Sequence, residues 1–199
     1  MNIAQKYVEG LKKAYYDNRA EKQWVDFERI VHGASKDNME KLRMLYPDIP
    51  DSLIQLLDIV DGTYWREYDG KKITLYFLGS DLEEYPYYLL SVEQMLKKDF
   101  DWLNDYIDRK FEGCVEVDER IIDHAENMCW LHFSDCMNNG GSSQLFIDFF
   151  PSSKGTKGQI IRYLHDPDEI EVIADSFDEY LQMLMDDGYD FITEDILED

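Results

Sequence analysis

The chain has 199 residues, enough for one packed domain, and 44% of them are hydrophobic and 14% aromatic. That supply of core residues excludes a disordered chain despite the charge, since disorder combines high charge with few aromatics. Twenty Lys and Arg stand against 43 Asp and Glu, a formal charge of -23, which argues against binding to nucleic-acid backbones or anionic lipid and either favours basic protein partners or only keeps the protein in solution.

The first sixty residues carry helical periods. Ile3, Tyr7, Leu11 and Tyr15 recur every fourth position and predict a first helix within residues 1–20. Its scattered charges and lack of an apolar core distinguish it from a secretory signal. Trp24, Phe27, Ile30 and Val31 mark a second, short segment ending at Gly33. Ser35 is an expected N-cap for a third helix, which Pro47 stops. Asp51 or Ser52 is the expected cap of a fourth, with Leu53, Leu56, Leu57 and Val60 on its apolar face and Gly62 at its end.

From Tyr64 the period changes. Two β-rich runs flank Asp69-Gly70, a dipeptide with a strong hairpin preference. Ser91 then opens a predicted long helix bearing Met95, Leu96, Phe100, Leu103 and Ile107 on one side. Residues 112–133 read equally as strand–loop–strand or as partly helical. Beyond them, apolar runs alternate with turns at Asn138–Gly141, Pro151, Gly155 and Gly158, and Asp166-Pro167-Asp168, until Ser176 caps a Leu-rich helix. This describes an antiparallel meander closed by one helix. The tail from residue 186 is acidic and terminal, so loose packing is expected. Helices first and an antiparallel-rich twisted sheet later make an α+β domain. The expected arrangement is a single domain, with a core over about residues 25–185, the N-terminal helix 1–20 and the acidic tail 186–199 as extensions.

The order of several pieces also resembles the SUKH superfamily. Tyr46-Pro47-Asp48-Ile49-Pro50 leads into an apolar helix ending at Asp61-Gly62. Trp130, the Asn138–Gly141 turn, Ile147-Asp148 before Pro151, the restart at Gly158-Gln159-Ile160, and Ala174-Asp175-Ser176-Phe177 before the last helix then follow in sequence. One departure is Phe149-Phe150, where many relatives carry a second acidic residue before the proline. The family is named for yeast cell-wall and glucan-synthesis regulators and contains many bacterial immunity proteins. The resemblance implies a non-catalytic protein-binding module. It implies most directly an immunity protein that neutralises a cognate toxin, often a nuclease, and alternatively an intracellular regulator or scaffold.

Candidate chemistry is sparse. Cys129, His132 and Cys136, with His124 nearby, are the one cluster resembling metal ligands, yet positions 129 and 132 of a strand point to opposite faces. The same geometry disfavours a Cys–His nucleophile pair. Gly155-Thr156-Lys157-Gly158 lacks the spacing of a phosphate loop, and Asp166-Pro167-Asp168 lacks the mid-loop glycine of a calcium site. No catalytic residue, cofactor or metal is expected. Aromatic rings beside carboxylates suit a protein interface, so the expected contact residues are Tyr64, Trp65, Glu67, Tyr68, Asp69, Asp81, Glu83 and Glu84. The partner is expected to be a basic protein, neither nucleic acid nor membrane. Three cysteines without a disulfide pattern, and no apolar run long enough to span a bilayer, point to the cytoplasm.

Overall fold

A computed structural model describes residues 1–97, 100–111, 113–136 and 142–197, and Glu198 through its backbone. The expected Asn138–Gly141 turn lies outside the described residues. Helix α1 (Ile3–Asp17) begins at Asn2, whose side chain accepts from the Gln5 N–H while Gln5 answers from its own side chain. That reciprocal pair satisfies two of the donors a helix leaves open at its start. Tyr7, Leu11 and Tyr15 are fully buried along its inner stripe. Helix α2 (Glu21–Glu28) follows, and then α3 (Lys36–Leu45), capped by Ser35 as expected.

Helix α4 (Asp51–Ile59) departs from its expected cap. Pro50 occupies the N-cap with no side-chain bond, and Asp51 is already the first helical residue. Proline suits this end because the φ it fixes needs no N–H there. Gly62 takes φ +84°, and a Cβ on it would meet the Ser91 backbone nitrogen at 2.4 Å, so only glycine fits where α4 hands over to the next segment.

Asp69 and Gly70 both adopt positive φ and close the hairpin β1 (Arg66–Tyr68) and β2 (Lys71–Ile73). The main sheet contains β3 (Tyr88–Leu89), β4 (Glu116–Val117), β5 (Trp130–Asp135), β6 (Ser143–Asp148), β7 (Gln159–Leu164) and β8 (Glu169–Ala174). Its order is β3-β5-β6-β7-β8-β4. Strands β5 to β8 form the expected antiparallel meander, whereas β4 pairs parallel to β8 at the edge.

The long helix expected after Ser91 is broken. Ser91 does cap a helix, α5, but it spans only Val92–Met95. A 3-10 turn (Asp101–Leu103) and α6 (Asn104–Ile107) come next. The break has a physical cause in the two faces of the sheet. Leu131, Phe133, Leu145, Ile147 and Ile160 point to one face, in a core shared with α1, α4 and Met95. Trp130, Phe146, Ile161, Tyr163 and Ile170 point to the other, where Phe100, Leu103 and Ile107 cover them. One straight helix cannot place Met95 in the first core and Phe100 in the second.

Helix α7 (Phe177–Asp186), capped by Ser176, packs on the first face. The tail is docked, contrary to expectation. Tyr189, Phe191 and Ile192 are buried, and α8 (Glu194–Glu198) follows. The Tyr189 hydroxyl donates to the Tyr7 carbonyl at 3.0 Å. Its aromatic residues outweigh its acidity, because burying a ring contributes more than an exposed carboxylate costs.

Candidate protein-binding face

The expected contact residues fall into two places. Tyr64 is half-buried and its ring lies 5.3 Å from that of Tyr88. Trp65 is 52% exposed at φ +50°, with Glu67 and Asp69 exposed beyond it on the hairpin. Tyr68 is buried completely and donates its hydroxyl to the Gly62 carbonyl at 2.7 Å, so it can offer nothing to a partner. Burial also drives its phenol well above the usual range. Asp81, Glu83 and Glu84 sit elsewhere, on the loop between Gly79 and Tyr85.

That loop is built tightly. The Tyr180 hydroxyl donates to the Gly79 carbonyl at 2.7 Å, and the Ser80 hydroxyl accepts from the Leu82 N–H at 3.1 Å. Glu84 adopts φ +54° before the chain enters the bridge that joins Tyr87 to Leu78. Arg162, on β7 and 3% exposed, forks onto Asp81 at 2.6 and 3.0 Å and reaches Glu169 at 2.6 Å. This ties the loop to the sheet.

A second acidic segment faces it. Asp187 caps the end of helix α7, Gly188 and Tyr189 turn through positive φ, and the Tyr189 N–H donates back to the Leu184 carbonyl at 3.0 Å. Phe191 then lies on Gly79, where a Cβ would stand 2.3 Å from its ring. The two segments enclose an open groove of about 470 Å³ lined by Ser80, Asp81, Glu83, Glu84, Asp187 and Asp190. Every ionisable group in that lining is a carboxylate. Among the described residues, only Asp81 of the five has an ion-pair partner. Burial, and next the charge of Asp187, hold the Asp190 carboxyl above its ordinary range, with Glu83 and Glu84 adding to the rise. The carbonyl end of α7 contributes further negative potential.

Sequence reasoning missed Asp187 and Asp190, which stand a hundred residues from the 81–84 loop and were placed in a loose tail. The aromatic residues around Asp190 were the available signal that this segment packs.

His132, Cys136, Asp148 and Asp168 are tied into the fold by hydrogen bonds. Cys129 is exposed while Cys136 is buried and accepts from the Ser143 N–H at 3.1 Å, at the other end of β5. His132 donates from Nε2 to the Ser134 carbonyl at 2.9 Å, and burial lowers its imidazole to about 4. Asp168 accepts from Tyr106 at 3.1 Å and Tyr163 at 3.3 Å and pairs with His165, which fixes the β7–β8 turn. Asp148 is buried, accepting from the Phe150 N–H at 2.9 Å and from Gln159 at 3.0 Å, and burial raises its carboxyl to about 6. Among the described residues, no three His, Cys, Asp or Glu are grouped to hold a metal ion.

A mixed sheet flanked by helices makes this an α+β domain, and the carboxylate groove lies on its surface. The family model described as the SMI1 / KNR4 family (SUKH-1) matches residues 33–183, and the chain belongs to that family. No curated protein matches it. The matched stretch runs from the end of the second helical segment to α7, and therefore includes the Asp81–Glu84 side of the groove but not Asp187 and Asp190.

Proposed function

We propose that the chain is a non-catalytic protein-binding module, an immunity protein that neutralises a cognate toxin by covering a basic surface with the groove. The observation that carries this reading is the lining itself. Glu83, Glu84, Asp187 and Asp190 crowd together, and none has an ion-pair partner among the described residues. Such crowding is unfavourable in the free protein, and a cationic partner relieves it. Nucleases carry cationic surfaces to hold phosphates, and an array of carboxylates can occupy such a surface in place of nucleic acid. The net charge of -23 supports the same partner at longer range by steering its approach. Membership of the SUKH-1 family supports protein recognition in general. Residence in the cytoplasm, with the toxin, is part of the proposal.

The test is capture from native lysate at low and moderate salt, repeated with a Glu83→Lys/Glu84→Lys/Asp187→Lys variant. Recovery of one basic protein, lost as salt rises and lost with the variant, supports the reading. Recovery of several envelope-synthesis proteins, equally by wild type and variant, overturns it in favour of a regulatory scaffold.

A further inference from the structure

A second cleft lies away from the acidic groove and has the opposite character. It measures about 690 Å³ and runs between α2, the β2 side of the hairpin, and α8. Specific binding clefts usually hold roughly 300–1,000 Å³ and combine an apolar lining with a few placed polar groups. Here Phe27, Ile73 and Leu75 supply buried apolar surface, and Tyr76 and Tyr88 stack beside them at 4.9 Å. Lys71 and Lys72 stand exposed on the rim. Arg29 is also there, paired at 3.3 Å with Asp26, the one acid in the lining. Among the described residues neither lysine forms an ion pair or a side-chain hydrogen bond. In a chain where acids outnumber bases by 43 to 20, a cleft lined by three cations and one acid departs from the surface average.

One wall is aliphatic. Ile196 and Leu197 of α8 line the cleft, while Glu194 of the same helix pairs with Arg19 at 2.9 Å and the Leu197 carbonyl accepts from Gln23 at 3.2 Å. Helix α8 thus adds two aliphatic side chains to the lining. From the unpaired lysines above an apolar floor and an aliphatic wall, we propose that this cleft docks an acidic peptide segment carrying aliphatic side chains, presented by a protein partner. The aliphatic groups fill the floor next to Ile73 and Leu75, and the carboxylates meet Lys71 and Lys72. The interface is separate from the groove and takes a ligand of opposite charge, so either can stand without the other.

The experiment is fluorescence anisotropy of a labelled peptide, EDILEDILED, titrated with the full chain, and of a control, EDSSEDSSED, with the same acids and no aliphatic residues. Long-range repulsion from the acidic chain works against both peptides alike, so a difference reports the aliphatic side chains, and the lysine variants locate it in the cleft. Saturable binding of the first peptide, about tenfold tighter than the control, is expected, and Lys71→Glu/Lys72→Glu lowers that affinity about tenfold or more. Glu83→Gln, in the groove, leaves it unchanged. Lys71→Ala/Lys72→Ala serves as the milder variant, and circular dichroism confirms that each variant is folded. Absence of saturable binding overturns the proposal. So does equal binding of the two peptides, or an affinity indifferent to both lysine variants when their spectra are native.

Discussion

Arg162 offers the sharpest test of how the fold holds its acidic loop. The guanidinium is 3% exposed, forks onto both oxygens of Asp81 and also reaches Glu169. Arg162→Met keeps much of the apolar stem but strands two carboxylates. Breaking a fully buried pair costs about 3–5 kcal/mol. The side chains of Asp81 and Glu169 are 36% and 22% exposed, so water takes up part of the stranded charge. A loss of about 2–3 kcal/mol at neutral pH is therefore expected. Arg162→Lys retains the charge and loses the fork, for roughly half that cost. Urea titrations followed by tryptophan fluorescence measure both, and a double-mutant cycle with Asp81→Asn isolates the pair, with a coupling of about 1–2 kcal/mol expected. A loss below about 1 kcal/mol for Arg162→Met, or equal losses for Met and Lys, would refute the idea that this fork anchors the loop.

Three further expectations concern the core, the tail and the groove. The Asp148 carboxyl titrates near 6 when folded, above its ordinary value, so the folded state holds the proton more tightly and this group's contribution to stability falls as pH rises from about 4 to about 6. His132, lowered to about 4, acts oppositely and loses stability as pH falls below its unfolded value. Asp148→Asn should remove the first slope in urea titrations from pH 4.5 to 7.5. It should also cost about 1–3 kcal/mol at pH 5 by setting one amide donor against that of Gln159, and parallel pH profiles would count against the assignment. Phe191→Ala should destabilise by about 3–5 kcal/mol while Glu194→Ala stays within about 0.5, and equal effects would mean that the tail is not part of the core. Binding of a basic partner in the groove should weaken as pH drops through the carboxylate range, and Asp190, whose carboxyl is raised by burial, should contribute to that loss. Titration calorimetry of the captured partner across that range, compared with an Asp190→Asn variant, measures that contribution, and identical pH profiles would count against it.

Much of the fold was legible because its signals are local. The caps at Ser35, Ser91 and Ser176, the Asp69-Gly70 turn and the alternation of β5 to β8 each lie within a few residues. The break after Met95 was not legible, since Met95, Leu96, Phe100, Leu103 and Ile107 obey one helical period whether or not they share a core. Only the sheet, passing between Met95 and Phe100, separates them. Strand β4, two residues long and parallel to a neighbour fifty positions later, left no pattern to read. Asp81, Glu83 and Glu84, singled out in the sequence as contact candidates, lie on one side of the groove. The other side depends on Phe191 meeting Gly79, a contact between distant segments that composition cannot announce.

The two edges of the main sheet carry a consequence for how any partner is recognised. Strands β3 and β4 have two residues each, and each is already paired on its inner side. An extended chain arriving at either edge would find scarcely one repeat of hydrogen-bonding backbone, too little to template a further strand. Sequence-blind addition to the sheet is thereby suppressed, for the right partner and for wrong ones. Discrimination is left to side chains on loops and helix ends, which a lineage can exchange one position at a time while the meander beneath them stays the same.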